Sequence, residues 1–397
     1  MMKYLIFVES NTTGTGEIFL ERASKAGYEP VLMYRDGNRY HFLNKAPFRT
    51  IKVDTSNIDH ILHSVASELG TENVAGVWST SEYYISTASE LASLLNLPSL
   101  DCERIKAVRN KKFQREQLNR HQLSYTPFSE ITDKAAVLHF VHSVGFPVII
   151  KPVDCSGSVG VLAISDENEL LRALSTVFGS SVSTTEWIIE KYYPGEQYSV
   201  EVFNSNIVGI THQHYDYFPR MIAVGHDFPA LLETEKTTAL TTLIGRVISL
   251  FGLTSGPVHI EVRFLQDENI KIIEVNPRLA GGYIPEIFRL STGSDLIKAC
   301  IDYCTGNIVD LSKPENNFSA IRFIVKGNKL NHRVFRCLKE KCQEAVLCFD
   351  ENKRKESIFH GDFRDRYGHI IVMTPNVSAR EDVIEILNNS SYPVMDT

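Results

Sequence analysis

Two glutamates carry the clearest chemical signal in this chain. Glu261 and Glu274 lie in the runs Val258-His259-Ile260-Glu261-Val262-Arg263-Phe264 and Ile270-Lys271-Ile272-Ile273-Glu274-Val275-Asn276. Alternating apolar and polar residues predict strands, with His259, Glu261 and Arg263 sharing one face of the first and Glu274 and Asn276 sharing a face of the second. Asp267-Glu268 lies midway and predicts the hairpin turn. A register symmetric about that turn sets Glu261 opposite Glu274 and His259 opposite Asn276. Directly opposed like charges are destabilising. Such a pair calls for a shared proton or a cation between the carboxylates. Hard oxygen ligands, with Asn276 as a third, suit Mg²⁺, which prefers a few carboxylates plus substrate phosphates. Pro277 ends the strand, so Arg278 projects from its exit, where a guanidinium can bind phosphoryl or carboxylate oxygens bidentately.

Further upstream, Phe146-Pro147-Val148-Ile149-Ile150-Lys151-Pro152 places a lysine at the end of a buried strand. Asp154-Cys155-Ser156-Gly157-Ser158-Val159-Gly160-Val161 follows and leads into another strand. Small residues let backbone N–H groups approach phosphate oxygens, and the lysine adds a point charge. The spacing matches neither of the glycine-rich loops that open a helix, so the segment is expected to act as a flap over a nucleotide. In Trp187-Ile188-Ile189-Glu190-Lys191-Tyr192-Tyr193-Pro194-Gly195-Glu196-Gln197-Tyr198 a strand runs into a turn and re-enters a strand. Backbone groups around Glu190–Tyr193 could read an adenine edge, with a polar side chain after the turn for ribose hydroxyls.

These residues need a scaffold, and the chain supplies one in pieces. Strands at Lys3–Val8, Pro30–Tyr34 and Val74–Trp78 alternate with helices at Glu17–Ala26, Ile58–Leu69 and Glu82–Leu95. That pattern predicts a parallel sheet covered by helices, with ligands beyond the carboxyl ends of its strands, at the loops Glu9–Gly16 and Ser79–Glu82. A helix is expected at Asn110–His121. Paired strands then follow: Val148–Lys151 with Val161–Ile164, Tyr198–Phe203 with Ile207–Thr211, and the carboxylate hairpin. Helices Thr237–Leu250 and Ser294–Cys304 pack beside them, and the last part of the chain reads as a smaller α+β unit. The fold class is therefore α/β and α+β, divided at 1–104, 105–310 and 311–397.

The chain has 397 residues, 43% hydrophobic and 22% charged, as expected of a soluble protein with two or three cores. A formal net charge of −7 argues against a nucleic-acid binder with a broad basic surface. Seven cysteines without a Cys-x-x-Cys argue for reduced thiols. The start is too short and too soon acidic for a signal peptide, and no apolar run suits a membrane span. A cytoplasmic location without membrane partners is the expectation.

Together and in this order, the segments resemble the ATP-grasp superfamily over roughly residues 105–305, with the α/β start similar to the domain preceding that fold in the family. The resemblance implies an ATP-grasp fold after a Rossmann-like domain and before a small C-terminal α+β domain. It implies that Lys111 and Lys151 contact ATP phosphates, that Ser156, Gly157, Ser158 and Val159 belong to the glycine-rich flap, and that Glu190, Lys191, Tyr192 and Tyr193 flank the adenine. The ribose-binding Glu of the family is replaced by Gln197, a softened contact. Glu261, Glu274 and Asn276 would hold Mg²⁺, with Mn²⁺ as a substitute, and Arg278 would stabilise an acyl phosphate.

Asn276-Pro277-Arg278-Leu279-Ala280-Gly281-Gly282 and Val224-Gly225-His226-Asp227-Phe228-Pro229-Ala230 look like the bacterial L-amino-acid ligases that make dipeptides. The implied reaction is a γ-phosphoryl transfer to an amino-acid carboxylate, followed by attack of a second amino acid's amine. His226 is the candidate for positioning or deprotonating that amine, with simple packing an equal reading. Gly281 and Gly282 would let the second substrate approach closely, while Glu82 and Ser156 would face the first, Glu82 pairing its amino or guanidinium group. The implied partners are small-molecule amino acids, and family analogy implies a homodimer. Three other readings compete: an ATP-grasp ligase of the biotin carboxylase or glycinamide ribonucleotide synthetase kind, a nicotinamide-dependent oxidoreductase using Gly14-Thr15-Gly16, and a non-catalytic module that kept the fold. Gly14-Thr15-Gly16 lacks the third glycine, and the intact charged set argues against a silent module.

Overall fold

The alternating strands and helices at the start build a parallel sheet. A computed structural model describes residues 3–12, 15–44, 48–179, 186–216, 218, 221–312, 315–326, 332–349, 361–375 and 379–390. In it β1 (Tyr4–Val8), β2 (Glu29–Tyr34), β3 (Arg49–Lys52) and β4 (Val74–Trp78) lie in the order β3-β2-β1-β4, all parallel. The unbroken apolar run of β1 reflects burial on both faces. Leu5 and Phe7 pack with Phe19 and Leu20 of α1 (Thr15–Lys25), while Ile6 and Val8 pack with α2 (Ile58–Glu68) and α3 (Ile85–Leu94). The edge strand β3 escaped sequence reading because charged residues flank its one buried side chain, Ile51, a common guise of edge strands. Helix α3 begins three residues later than expected, which leaves Glu82 in the loop beyond β4. Gly14 of Gly14-Thr15-Gly16 lies outside the described residues, and Thr15-Gly16 opens α1.

Two helices lead onward, α4 (Cys102–Arg109) across the expected border at 104/105 and α5 (Lys111–Arg120). Asn110 caps α5 by accepting from the Phe113 N–H at 3.1 Å. A second sheet, antiparallel and ordered β5-β8-β6-β7, consists of β5 (Phe128–Glu130), β6 (Val148–Pro152), β7 (Leu162–Ile164) and β8 (Trp187–Lys191). Helices α6 (Lys134–Val144) and α7 (Glu167–Gly179) bury Val137, Leu170 and Leu174 against Val148, Ile150 and Ile189.

The third sheet has eight strands: β9 (Glu196–Phe203), β10 (Asn206–Tyr215), β11 (Ala223–Phe228), β12 (Pro257–Phe264), β13 (Ile270–Asn276), β14 (Phe318–Val325), β15 (Glu344–Phe349) and β16 (Arg366–Thr374). Their order is β13-β12-β9-β10-β11-β14-β16-β15. Helix α8 (Thr234–Phe251) covers one face, setting Leu240, Ile244 and Val247 on Val200, Val258, Ile260 and Val262. Helices α9 (Ile284–Thr292) and α10 (Leu296–Cys304) join this sheet to the first one through Phe228, Phe288, Ile301 and Leu5. At the far end α11 (His332–Lys341) and α12 (Arg380–Ser390) pack on β14 and β16. Pairing of β11 with β14 thus merges the C-terminal strands into the sheet that carries the carboxylates. Among the described residues no helix is long and apolar enough to cross a membrane.

Candidate active site

A cavity of about 490 Å³ opens where the three sheets meet. Strands β12 and β13 form its floor in the expected register, Glu261 opposite Glu274 and His259 opposite Asn276. Symmetry about the turn then fails. Val262 pairs with Ile272, so Ile273 is the extra residue of a β-bulge. The bulge brings Ile273 and Glu274 to the cavity together and offers the Ile273 carbonyl to Arg115, whose Nη2 donates at 2.6 Å.

The charges of the two carboxylates are met by the chain itself. The Lys111 ammonium lies 2.8 Å from Glu274 Oε1. The pair holds the Lys111 amine above its ordinary value and, against burial, the Glu274 carboxyl below its own. His259 bridges Glu201 (Nδ1 to Oε1 2.9 Å) and Glu261 (Nε2 to Oε1 3.3 Å). Burial would depress this imidazole, but the two carboxylates push it up to about 10, so it is a cation at neutral pH. Gln197 Nε2 also donates to Glu261 Oε2 at 3.0 Å. Lys111 and protonated His259 thus offset the repulsion between the two carboxylates. The donor set still suits Mg²⁺, with carboxylates on neighbouring strands and the Asn276 amide beside them. Asn276 is 3% exposed, its Oδ1 accepts from Arg278 Nη2 at 3.3 Å, and its Nδ2 has no partner among the described residues. That unsatisfied amide leaves room for rearrangement when a ligand enters.

At the other end of the cavity two cations share one carboxylate. Lys151 Nζ lies 2.5 Å from Glu190 Oε1, and Arg115 Nε lies 2.7 Å from Glu190 Oε2. All three side chains are at most 8% exposed. Burial alone would raise the Glu190 carboxyl, but Arg115 and Lys151 hold it at about 2. The Lys151 ammonium is depressed to about 8, chiefly by burial, because Arg115 competes for the same anion. The trio carries a net positive charge, as a phosphate site requires. Sequence reading missed Arg115, although it stands four residues after Lys111 on the same helical face.

The flap closes over this end. Ser156, Gly157, Ser158 and Val159 line the cavity, and Lys111 Nζ donates to the Cys155 carbonyl. Gly157 adopts φ +65°, and a Cβ there would lie 2.6 Å from the Phe363 ring, so the flap touches the C-terminal region. Beyond β8, Arg263 Nη1 donates to the Tyr193 carbonyl at 2.9 Å, and Lys191 Nζ donates to the carbonyls of Gly145 and Phe146 at 3.1 and 3.0 Å. Tyr192 lies 5.1 Å below the Arg263 guanidinium, and Tyr193 4.6 Å from Lys271 Nζ. Gln197 is fully engaged, accepting from Arg263 Nη2 at 2.5 Å and donating to Gln213 and Glu261. It therefore positions Glu261, a role its place in the sequence did not suggest.

Glu82 meets a guanidinium, but the chain's own. Arg278 Nε donates to Glu82 Oε2 at 2.7 Å, with Nη2 on the same oxygen, because both residues leave the carboxyl ends of their strands. The sequence expectation set Glu82 against a substrate cation. Its charge is already balanced by Arg278. His226, on β11, is 2% exposed and lies edge-on to Phe323 at 5.5 Å. Burial, reinforced by Arg366, holds its imidazole well below the usual range, so it is neutral. Its Nδ1 has no partner among the described residues, and a Cβ on Gly282, at φ +60°, would lie 2.7 Å from its Nε2. Gly281 and Gly282 both line the cavity. On the opposite face of the sheet His212, His214 and Asp227 cluster as metal ligands could, yet Arg322 already sits 2.6 Å from the Asp227 carboxylate.

Residues 144–286 match the family model described as ATP-grasp domain. The chain carries an ATP-grasp domain. Its resemblance to that fold extends over the full length of the chain. It covers 100% of itself and 99% of an L-amino acid ligase from Bacillus licheniformis with a TM-score of 0.76 and 18% identity. In sequence it is 27% identical to the uncharacterized protein y4rH of Sinorhizobium fredii (strain NBRC 101917 / NGR234), over 97% of this chain and 81% of that protein. It is 21% identical to alanine–anticapsin ligase of Bacillus subtilis, over 64% of this chain and 59% of that protein. Lys151, Glu190, Glu261, Glu274 and Arg278 lie within the range 144–286.

Proposed function

We propose that this protein is an ATP-dependent L-amino-acid ligase that joins two amino acids through an aminoacyl phosphate. One observation carries the reading: a single cavity has a cationic phosphate end at Lys151, Arg115 and Glu190, opposed carboxylates in the middle, and Arg278 with Glu82 at the far side. The likeness to an L-amino acid ligase in fold and to alanine–anticapsin ligase in sequence supports the same choice.

On this reading Lys111, Lys151 and the flap residues Ser156–Val159 hold the phosphates, while Glu190, Lys191, Tyr192, Tyr193 and Gln197 frame the nucleoside end. Glu261, Glu274 and Asn276 hold Mg²⁺, or Mn²⁺ in its place. Magnesium, when bound, neutralises phosphate charge during transfer. The first amino acid's carboxylate oxygen attacks the γ-phosphorus and ADP leaves. Arg278, oriented by Glu82, steadies the oxygens of the acyl phosphate. The second amino acid's nitrogen attacks the carbonyl carbon, and phosphate departs with the former carboxylate oxygen. The amine must shed a proton on the way, and neutral His226 is the side chain placed to receive or orient it.

The test is phosphate release with all twenty amino acids, singly and in pairs, followed by mass measurement of the product. A condensed dipeptide, formed with stoichiometric ADP, is expected. Silence with every pair, or ADP release driven by bicarbonate instead, overturns the proposal.

A further inference from the structure

Nearly every cation around the cavity is spoken for. Lys111 faces Glu274, Lys151 and Arg115 face Glu190, Arg278 faces Glu82, and Arg263 donates to Gln197 and the Tyr193 carbonyl. Arg366, the first residue of β16, differs. Its guanidinium carbon lies 4.2 Å from the centre of the Phe323 ring, and its Nε is buried with no hydrogen-bond partner among the described residues. Leaving such a donor unpaired costs a folded protein free energy unless a ligand satisfies it. Burial pulls this guanidinium down to about 10, and only Tyr215, Asp362 and Glu261 oppose the shift. It remains charged at neutral pH.

Tyr215, at the end of β10, offers a second donor. It lines the same cavity and interacts electrostatically with Arg366. Burial, then Glu261, raises this phenol, so it stays protonated and able to donate. From Arg366 the wall continues through Phe323 to His226 and Gly282, each in contact with the next. The charge of Glu261 is offset by His259 and Gln197. A ligand at this cationic wall is therefore anionic, and Phe323 connects the wall to His226.

Resting on the ligase reading, we infer that Arg366 and Tyr215 form a carboxylate subsite that holds the α-carboxylate of the amine-donating amino acid. That carboxylate takes no part in the chemistry and survives in the dipeptide, so a static guanidinium–phenol pair is what it needs. A planar fork of N–H donors suits a carboxylate better than an ammonium would. The arrangement also gives the C-terminal strands a part in substrate choice, because Arg366 enters the cavity from β16 while the nucleotide end belongs to other elements.

The test compares two amine donors: the amino acid that best accepts the acyl group in the wild type, and its C-terminal amide. The quantity read is the ratio of their kcat/KM values in wild type, Arg366→Ala, Arg366→Lys and Tyr215→Phe. Loss of a charge-assisted contact is expected to shrink the acid-over-amide ratio about 100-fold in Arg366→Ala. Arg366→Lys should recover part of it, and Tyr215→Phe should lose about tenfold through a raised KM. An unchanged ratio in these variants overturns the inference. Should Arg366→Ala fail to fold, the ratios in Arg366→Lys and Tyr215→Phe decide alone. Wild-type hydroxamate formation, with hydroxylamine replacing the amine, monitors the ligase reading separately. Its absence with every amino acid sinks that reading, whereas hydroxamate without any amino-acid acceptor sinks only the carboxylate subsite.

Discussion

Replacing Lys111 by methionine should make the stability of this protein depend on a divalent cation. Lys111 and Glu274 are 9% and 17% exposed and 2.8 Å apart. Removing one partner of a buried pair costs about 3–5 kcal/mol, because the remaining charge stays desolvated. Glu274 borders an open cavity, so water softens the penalty, and about 2–4 kcal/mol is the better estimate. The hydrogen bond to the Cys155 carbonyl is lost as well. For a domain of this size each kcal/mol lowers Tm by about 2–4 °C, so the variant should melt roughly 5–15 °C early. Without the ammonium, Glu274 faces Glu261 with only the charges of Lys151 and Arg278 to offset it. A divalent cation at the pair should then restore stability, by about 2.7 kcal/mol at a hundredfold excess over its Kd. Thermal unfolding with and without MgCl₂, at matched ionic strength, reads this directly. The gain should exceed that of the wild type. A Tm that ignores Mg²⁺, or an equal shift in both proteins, refutes the assignment of the carboxylates as cation ligands.

Other consequences follow from single contacts. Gly282→Ala forces φ +60° on a residue with a Cβ and sets that atom 2.7 Å from His226 Nε2, a ring wedged against Phe323. It should cost about 1–3 kcal/mol and lower Tm, whereas Gly281→Ala, with open space around it, should melt like the wild type. Gly157→Ala would press 2.6 Å on the Phe363 ring and strain the flap, so the KM for ATP should rise several-fold, and an unchanged KM would show that the flap contact is unimportant. Lys151 is depressed to about 8, so it is charged and attractive to phosphate below that pH and loses its proton as pH climbs through it. ATP affinity should therefore fall above pH 8, by up to about tenfold per unit, and a flat profile to pH 9.5 would remove Lys151 from the phosphate site.

What the sequence revealed, and what it hid, divides along physical lines. Period-two alternation places side chains on strand faces without any knowledge of neighbours, so the opposition of Glu261 and Glu274 was legible. An inserted residue leaves no mark in that pattern, which is why the Ile273 bulge was invisible. Partners across non-sequential strands were hidden for another reason. His259 finds Glu201 only because β12 pairs with β9 rather than with its hairpin alone. Lys111 was placed near the nucleotide, but its ion pair with Glu274 depends on α5 lying along β13. Arg366, Phe363 and Tyr215 carried no motif at all. Arg366 and Phe363 join the cavity because β11 pairs with β14 and β14 with β16, drawing the C-terminal strands into the main sheet, and Tyr215 because β10 lies between β9 and β11. Gln197 and Glu82 show the reverse case: their chemistry was legible, but their partners are this chain's own side chains.

The central claim is that a carboxylate is activated by phosphorylation before an amine attacks it. Supplying the first amino acid with ¹⁸O in its carboxylate and measuring the released inorganic phosphate by mass spectrometry tests that claim most directly. An acyl phosphate route transfers one labelled oxygen to each phosphate during dipeptide formation. Phosphate free of label, formed at the rate of product, would contradict it.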